Sequence, residues 1–169
     1  LINLFGNSDE YTKRLMRYYI RTDNLREVLP LKAYFYGLKK NVLGSSDLVE
    51  LSGYLLDKLY GYLSPSDEYL RTQIENVRQL LEMAIEADST VPEAHYNLAR
   101  YFIYTGNEEN ATILLNSAII QFDNSKTRKP KRIQKNIDCF RLLGEIYTNQ
   151  QQYLLAEETY GKGVILYEE

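Results

Sequence analysis

Hydrophobic residues recur at intervals of three and four positions along almost the whole chain, and strict alternation of apolar and polar residues is rare. This period is typical of amphipathic helices and predicts an all-α protein. We expect helices over about 9–21, 24–40, 47–63, 64–88, 92–105, 107–122, 130–148 and 151–168. Pro30 must kink or divide the second of them, because proline removes a hydrogen bond inside a helix.

Local signals mark both ends of the helix near the middle of the chain. Pro92 suits a first turn, and Thr90 with Glu93 matches the spacing of a capping box. Gly106 is expected to end this helix, and Asn107 to cap the next one. These signals predict two helices joined by a short turn.

The second helices of successive pairs share a pattern of small and large residues. Three positions repeat after 34 residues and again after a further 45, as Val77, Leu81 and Ala84, then Ala111, Leu115 and Ala118, then Ala156, Tyr160 and Gly163. A period of about 34 residues built from two helices predicts stacked helical hairpins.

The chain resembles the tetratricopeptide repeat family, whose motif is a large residue, Leu-Gly, Tyr, then Ala and Phe at fixed spacing. One repeat carries Phe140, Leu143, Gly144, Tyr147, Ala156 and Tyr160, and the preceding one carries His95, Leu98, Ala99, Phe102, Ala111 and Leu115. The resemblance implies a right-handed α-solenoid of stacked antiparallel hairpins at about 46–89, 90–124 and 130–169. A degenerate helical pair at 1–45 and a basic insertion at 125–135 complete the expected single continuous domain.

The resemblance also assigns packing roles to these residues. Gly144, Ala99, Ala111 and Ala156 are small where the two helices of one hairpin cross closely, and Ala118 and Leu143 join the same core. Large side chains are expected to fill the space between successive hairpins, namely Phe102, Leu115, Tyr147 and Tyr160.

Composition and charge exclude several classes of function. The chain is 44% hydrophobic and 25% charged, with a net charge of −3, so no global field attracts nucleic acid or anionic lipid. No apolar run approaches the roughly 20 residues that span a bilayer, so we expect a soluble protein of undetermined compartment. The chain begins at Leu1 without a signal-like segment, and we expect a fragment of a longer protein.

The sequence shows no catalytic constellation. His95 is the only histidine, no metal ligands stand at suitable spacing around it, and it occupies a packing position of the repeat. Cys139 is the only cysteine and is expected to be a small buried residue. There is no glycine-rich phosphate loop, so we predict no enzyme activity, no cofactor and no metal.

A basic segment precedes and enters the helix at 130–148. It carries Lys126, Arg128, Lys129, Lys131, Arg132 and Lys135 with no acidic residue among them. It is either a docking site for an acidic partner or phosphate backbone, or a solvated extension between helices. Nucleic acid is disfavoured because aromatic residues are not interleaved with the basic ones.

By resemblance, the first helix of each hairpin lines a concave groove that holds a partner segment. The expected groove residues are Glu93, Tyr96, Asn97, Arg100, Tyr104, Asp138, Arg141, Glu145 and Asn149. Some family members clamp a C-terminal carboxylate there, but Asp138 and Leu142 occupy positions that such a clamp needs to be basic. We therefore expect a groove of mixed charge without that specificity.

Tyrosine occurs 16 times and tryptophan never. Exposed tyrosine favours protein interfaces, although a compositional bias explains the same count. The sequence thus predicts a non-catalytic scaffold or adaptor that binds a partner protein in the groove or on a tyrosine-rich face. The alternatives are self-association through uncapped solenoid ends, a bacterial envelope or flagellar assembly scaffold, and an accessory region of a larger enzyme.

Overall fold

The computed structural model describes residues 9–29, 31, 43–60, 68–125 and 129–168. All regular secondary structure in these ranges is helical, which confirms the all-α prediction. The helices are α1 (Asp9–Arg21), α2 (Ser45–Tyr60), α3 (Glu68–Ala87), α4 (Pro92–Tyr104), α5 (Glu108–Asn124), α6 (Pro130–Asn149) and α7 (Tyr153–Glu168). A short helical stretch also covers 25–29. The predictions made for Pro30, for the helix start at 64–67 and for Lys126 and Arg128 lie outside the described residues.

The chain divides into two compact units, Leu1–Ala87 and Asp88–Glu169. The division falls at the predicted border between the hairpins at 46–89 and 90–124. The single continuous domain expected from the repeat pattern stays a prediction.

In the first unit, α2 packs against α3 to form a hairpin. The Ser45 hydroxyl at the start of α2 donates to the Ala84 carbonyl near the end of α3 at 2.9 Å, so the two helices run antiparallel. Leu51 and Leu55 of α2 are fully buried in this core. The Arg17 Nε of α1 donates to the Asp47 carboxylate at 2.9 Å, which connects α1 with the start of α2.

In the second unit, α4 packs against α5, α6 against α7, and α5 against α6. One buried cluster joins α4, α5 and α6, formed by Tyr96, Ala99, Ala111, Leu115, Ala118, Phe122, Cys139, Leu143 and Ile146. Phe102 and Tyr147 are half-buried against it, and Leu98 and Ala156 are buried. Fully buried alanines at Ala99, Ala111 and Ala118 allow the close approach of the helices.

Three residues act as predicted at the start of α4 and in the turn between α4 and α5. Pro92 occupies the first turn of α4, and Gly106 has a φ of +78°, which favours glycine after a helix. The Asn107 side chain accepts a hydrogen bond from the Asn110 amide at 3.1 Å. These three local predictions are confirmed.

The predicted capping box at Thr90 is wrong. The N-cap of α4 is Val91, which makes no side-chain capping bond, and Glu93 turns to another partner described below. The Thr90 amide and hydroxyl both donate to the Asp88 carboxylate, at 2.9 and 2.7 Å. Thr90 therefore stabilises the preceding turn, and the Glu93 carboxylate that a capping box requires accepts from Arg132 instead.

Two glycines of the last hairpin differ in the space around them. A Cβ added at Gly144 would lie 2.4 Å from the Tyr160 ring, whereas one at Gly161 would meet nothing within 4 Å. The structure thus places the ring of Tyr160 over Gly144 of the same hairpin, with 37% of Tyr160 exposed, rather than between successive hairpins. Gly163 likewise lies close to Phe140, whose Cβ would be 3.1 Å from an added Cβ.

We expect Gly144→Ala to lower the free energy of unfolding by about 1–2 kcal/mol, since the new methyl group displaces the Tyr160 ring. Gly161→Ala is the matched control, and it should raise this free energy by about 0.5–1 kcal/mol through helix propensity alone. Urea unfolding followed by circular dichroism measures both. Equal stabilisation by the two alanines would contradict the close approach at Gly144.

Candidate protein-binding groove

The first helices of two neighbouring hairpins, α4 and α6, are joined by an ion pair. Arg132 Nε donates to Glu93 Oε1 at 2.7 Å, and a second guanidinium nitrogen donates to Oε2 at 3.0 Å. A third nitrogen of Arg132 donates to the Ser125 hydroxyl at 2.7 Å. We call this two-pronged ion pair between Glu93 and Arg132 the fork. Its side chains are only 16% and 26% exposed, so the fork is largely shielded from water. It fixes α6 against α4 at one end of the predicted groove.

The environment of Glu93 keeps its carboxylate charged. Burial by itself would raise the pKa of Glu93, but the hydrogen bonds and charge of Arg132, together with the charge of Lys135, hold it below its usual value. The hydrogen bond from Arg132 to Glu93 also raises the pKa of the guanidinium. Each partner therefore stabilises the charged form of the other.

Tyr96 lies in the core beneath the groove rather than on its surface. It is 7% exposed, and burial raises its pKa to about 12. Arg100 of α4 and Lys135 of α6 approach its ring, at 5.6 and 5.8 Å from the centroid. Cations at this distance are attracted by the ring electrons. Tyr96 thus connects the two first helices, and Asn97 beside it is also buried.

The accessible part of the groove lies further along α6. The Arg141 guanidinium lies 2.6 Å from Glu145 and 3.6 Å from Asp138, with about half of the Arg141 side chain exposed. Asn149 is exposed, and its amide lies 3.4 Å from the Glu108 carboxylate at the start of α5. The charges on this surface are therefore already paired within the chain. The remaining predicted groove residue, Tyr104 of α4, is half-buried.

The predicted basic patch does not form one surface among the described residues. Lys129 and Lys131 are exposed, whereas Arg132 and Lys135 turn toward α4 and contact groove residues. Sequence reasoning assigned Glu93 and Arg132 to different features and missed their pairing. The only available signal was their similar position, each just after the proline that begins a first helix.

His95 contacts a backbone carbonyl, and Cys139 lies in the core. His95 Nε2 lies 2.9 Å from the Ser89 carbonyl oxygen. Cys139 is fully buried, and burial raises the pKa of its thiol, which keeps the sulfur protonated and unreactive. Within the described residues, no three side chains among His, Cys, Asp and Glu lie close enough to hold a metal ion.

Comparison with known proteins supports the fold. No protein-family model and no curated protein sequence matches the chain. The structure is similar to the crystal structure of MamA, with a TM-score of 0.73 over 99% of this chain and 82% of that one, at 14% sequence identity. At this identity the likeness shows the fold alone, a tetratricopeptide-like arrangement of helical hairpins. None of the described helices is both long and apolar enough to cross a bilayer.

Removing the charge of Glu93 tests the fork. We expect Glu93→Gln to lower the free energy of unfolding at pH 7 by about 2 kcal/mol, because hydrogen bonds to charged groups contribute about 1.5–3 kcal/mol. The pKa of Glu93 is depressed in the folded state, so its contribution is complete above its ordinary value of 4.5. The difference between wild type and variant should therefore shrink as the pH falls below that value.

Glu145→Gln is the matched control, since Glu145 also pairs with an arginine but has half of its side chain exposed. Screening by water makes such surface pairs weak, and we expect little change in stability at any pH. Urea unfolding at a series of pH values measures both variants. A loss for Glu93→Gln that does not vary with pH would show that the carboxylate charge is not responsible.

Proposed function

We propose that the chain is a non-catalytic scaffold of tetratricopeptide type that binds a segment of another protein on the face formed by α4 and α6. The observation that supports this most is the shielded fork between Glu93 and Arg132. It holds α4 and α6, the first helices of their hairpins, together in the absence of a partner. A surface that is already ordered loses less conformational entropy on binding.

The paired charges of this face indicate the chemistry of its partner. Arg141 lies between two carboxylates, and the remaining exposed groups are polar or aromatic. Such a face has no dominant sign of charge, and long-range steering of a strongly charged ligand is weak. A partner segment of mixed polarity fits it better than nucleic acid or a purely acidic peptide.

A photo-crosslinking residue in place of Asn149 tests this proposal in the cells that produce the protein. We expect adducts with another polypeptide, because Asn149 is an exposed groove position. Arg141→Ala should reduce the adduct about tenfold, equivalent to about 1.4 kcal/mol of binding. Tyr96 is unsuitable for this purpose, since its truncation would damage the core.

The control position is Ile113 on α5, which is 58% exposed and outside the predicted groove. An adduct from this position alone, or an adduct from position 149 that Arg141→Ala leaves unchanged, would refute binding in the groove. Far-UV circular dichroism verifies that each variant remains folded.

Self-association is a second candidate function, and the surface of α7 favours it. Among the described residues, α7 carries seven of the large hydrophobic side chains that remain exposed, including Leu154 at 85% and Tyr167 at 75%. Large apolar side chains exposed together in this way mark protein interaction sites.

A further inference from the structure

The helix α7 carries apolar residues on more than one side, yet only one narrow stripe of it is buried. Its buried residues are Ala156, Thr159 and Gly163. On the remaining surface, Tyr153, Leu154, Val164, Ile165 and Tyr167 are each 55–85% exposed. Large exposed apolar patches mark sites of interaction with another molecule. The exposed side chains of α7 therefore indicate a further partner.

The preceding hairpin shows what kind of element covers this face. Phe122 of α5 is 8% exposed, and α6, the first helix of the next hairpin, packs against α5. At the repeat offset of 45 residues, the same position in α7 is Tyr167, which is 75% exposed. The exposed face of α7 thus corresponds to the face of α5 against which the first helix of the next hairpin packs.

The helix α1 carries an exposed face suited to that position. Its residues Tyr11, Arg14, Tyr18 and Arg21 follow at spacings of three and four, which places them along one side of the helix. Tyr11 and Tyr18 are 41% and 59% exposed, while Met16 on the other side is fully buried. This face presents aromatic area together with positive charge.

The two helices also have complementary charge. Arg17 of α1 is paired with Asp47 of α2, and the other three basic and two acidic residues leave α1 a net charge of +1. One basic residue and three acidic residues, Glu157, Glu158 and Glu168, give α7 a net charge of −2. Complementary charge favours association in one register and disfavours pairing of either helix with a copy of itself.

We propose that α7 of one copy binds the exposed face of α1 of a second copy of this chain. The proposal rests on the self-association function given above and adds the identity of both surfaces. The contact is heterologous, because it joins two different faces. A dimer joined by one such contact keeps one unused α1 and one unused α7, so assembly continues beyond dimers.

Light scattering of the 169-residue chain over a range of concentrations tests the proposal. The wild type should grow in mass with concentration, and added salt should weaken the assembly by screening its charges. Tyr167→Glu, which blocks α7, and Tyr18→Glu, which blocks α1, should each be monomeric. Mixed together they should form a 1:1 dimer and nothing larger, since one retains α1 and the other α7.

Ile113→Glu is the matched control, because it places the same charge on an exposed apolar residue of α5 and should assemble like the wild type. Far-UV circular dichroism tests folding. Arg14→Glu and Glu157→Lys form a second pair of variants at exposed positions, with the same expected results if either tyrosine variant fails to fold.

Two results would overturn the proposal in different ways. If Tyr167→Glu is monomeric while Tyr18→Glu and Arg14→Glu assemble normally, α7 binds a surface other than α1, and only the self-association function survives. If the wild type is monomeric at all concentrations, self-association itself fails, and the face of α7 belongs to a different protein or to another hairpin. The groove proposal is unaffected by either result.

Discussion

A two-helix hairpin has more apolar surface than its own helices can cover, and this excess determines how the second unit is organised. Leu115 and Phe122 of α5 are 0% and 8% exposed because α4 and α6 both contribute to the buried cluster around α5. Fully buried alanines at Ala111 and Ala118 let the helices approach closely enough for this contact. Stacking of the second hairpin on the first is therefore a requirement of burial.

The groove is a consequence of that stacking. Packing of α5 against α6 brings α4 and α6 side by side, and Glu93 then meets Arg132 although 39 residues separate them. Partial burial makes such a pair costly to desolvate, but two parallel hydrogen bonds and the Ser125 hydroxyl offset that cost. The pair in turn limits the positions that α6 can take against α4. Stacking and the fork thus support one another.

Local features could be predicted from the sequence, whereas contacts between hairpins could not. Pro92, Gly106 and Asn107 act through their own backbone neighbours, so their roles follow from residue type and position. The capping role predicted for Thr90 is wrong because the carboxylates of Asp88 and Glu93 compete for its amide, and the sequence does not show which of them binds it. Glu93 and Arg132 meet only after the hairpins stack, and their register is fixed by core packing that no short motif records.

The exposed tyrosine near the end of α7 has a physical explanation. A face that must stay in water until a partner covers it cannot consist of aliphatic side chains alone, since these favour uncontrolled association. Tyrosine combines a large apolar ring with a hydroxyl that water or protein can solvate, so it tolerates both states. At corresponding positions α5 has the buried Phe122 and α7 has the exposed Tyr167. The tyrosine adds a hydroxyl at the position that water reaches, which suits a surface that can be either solvated or covered.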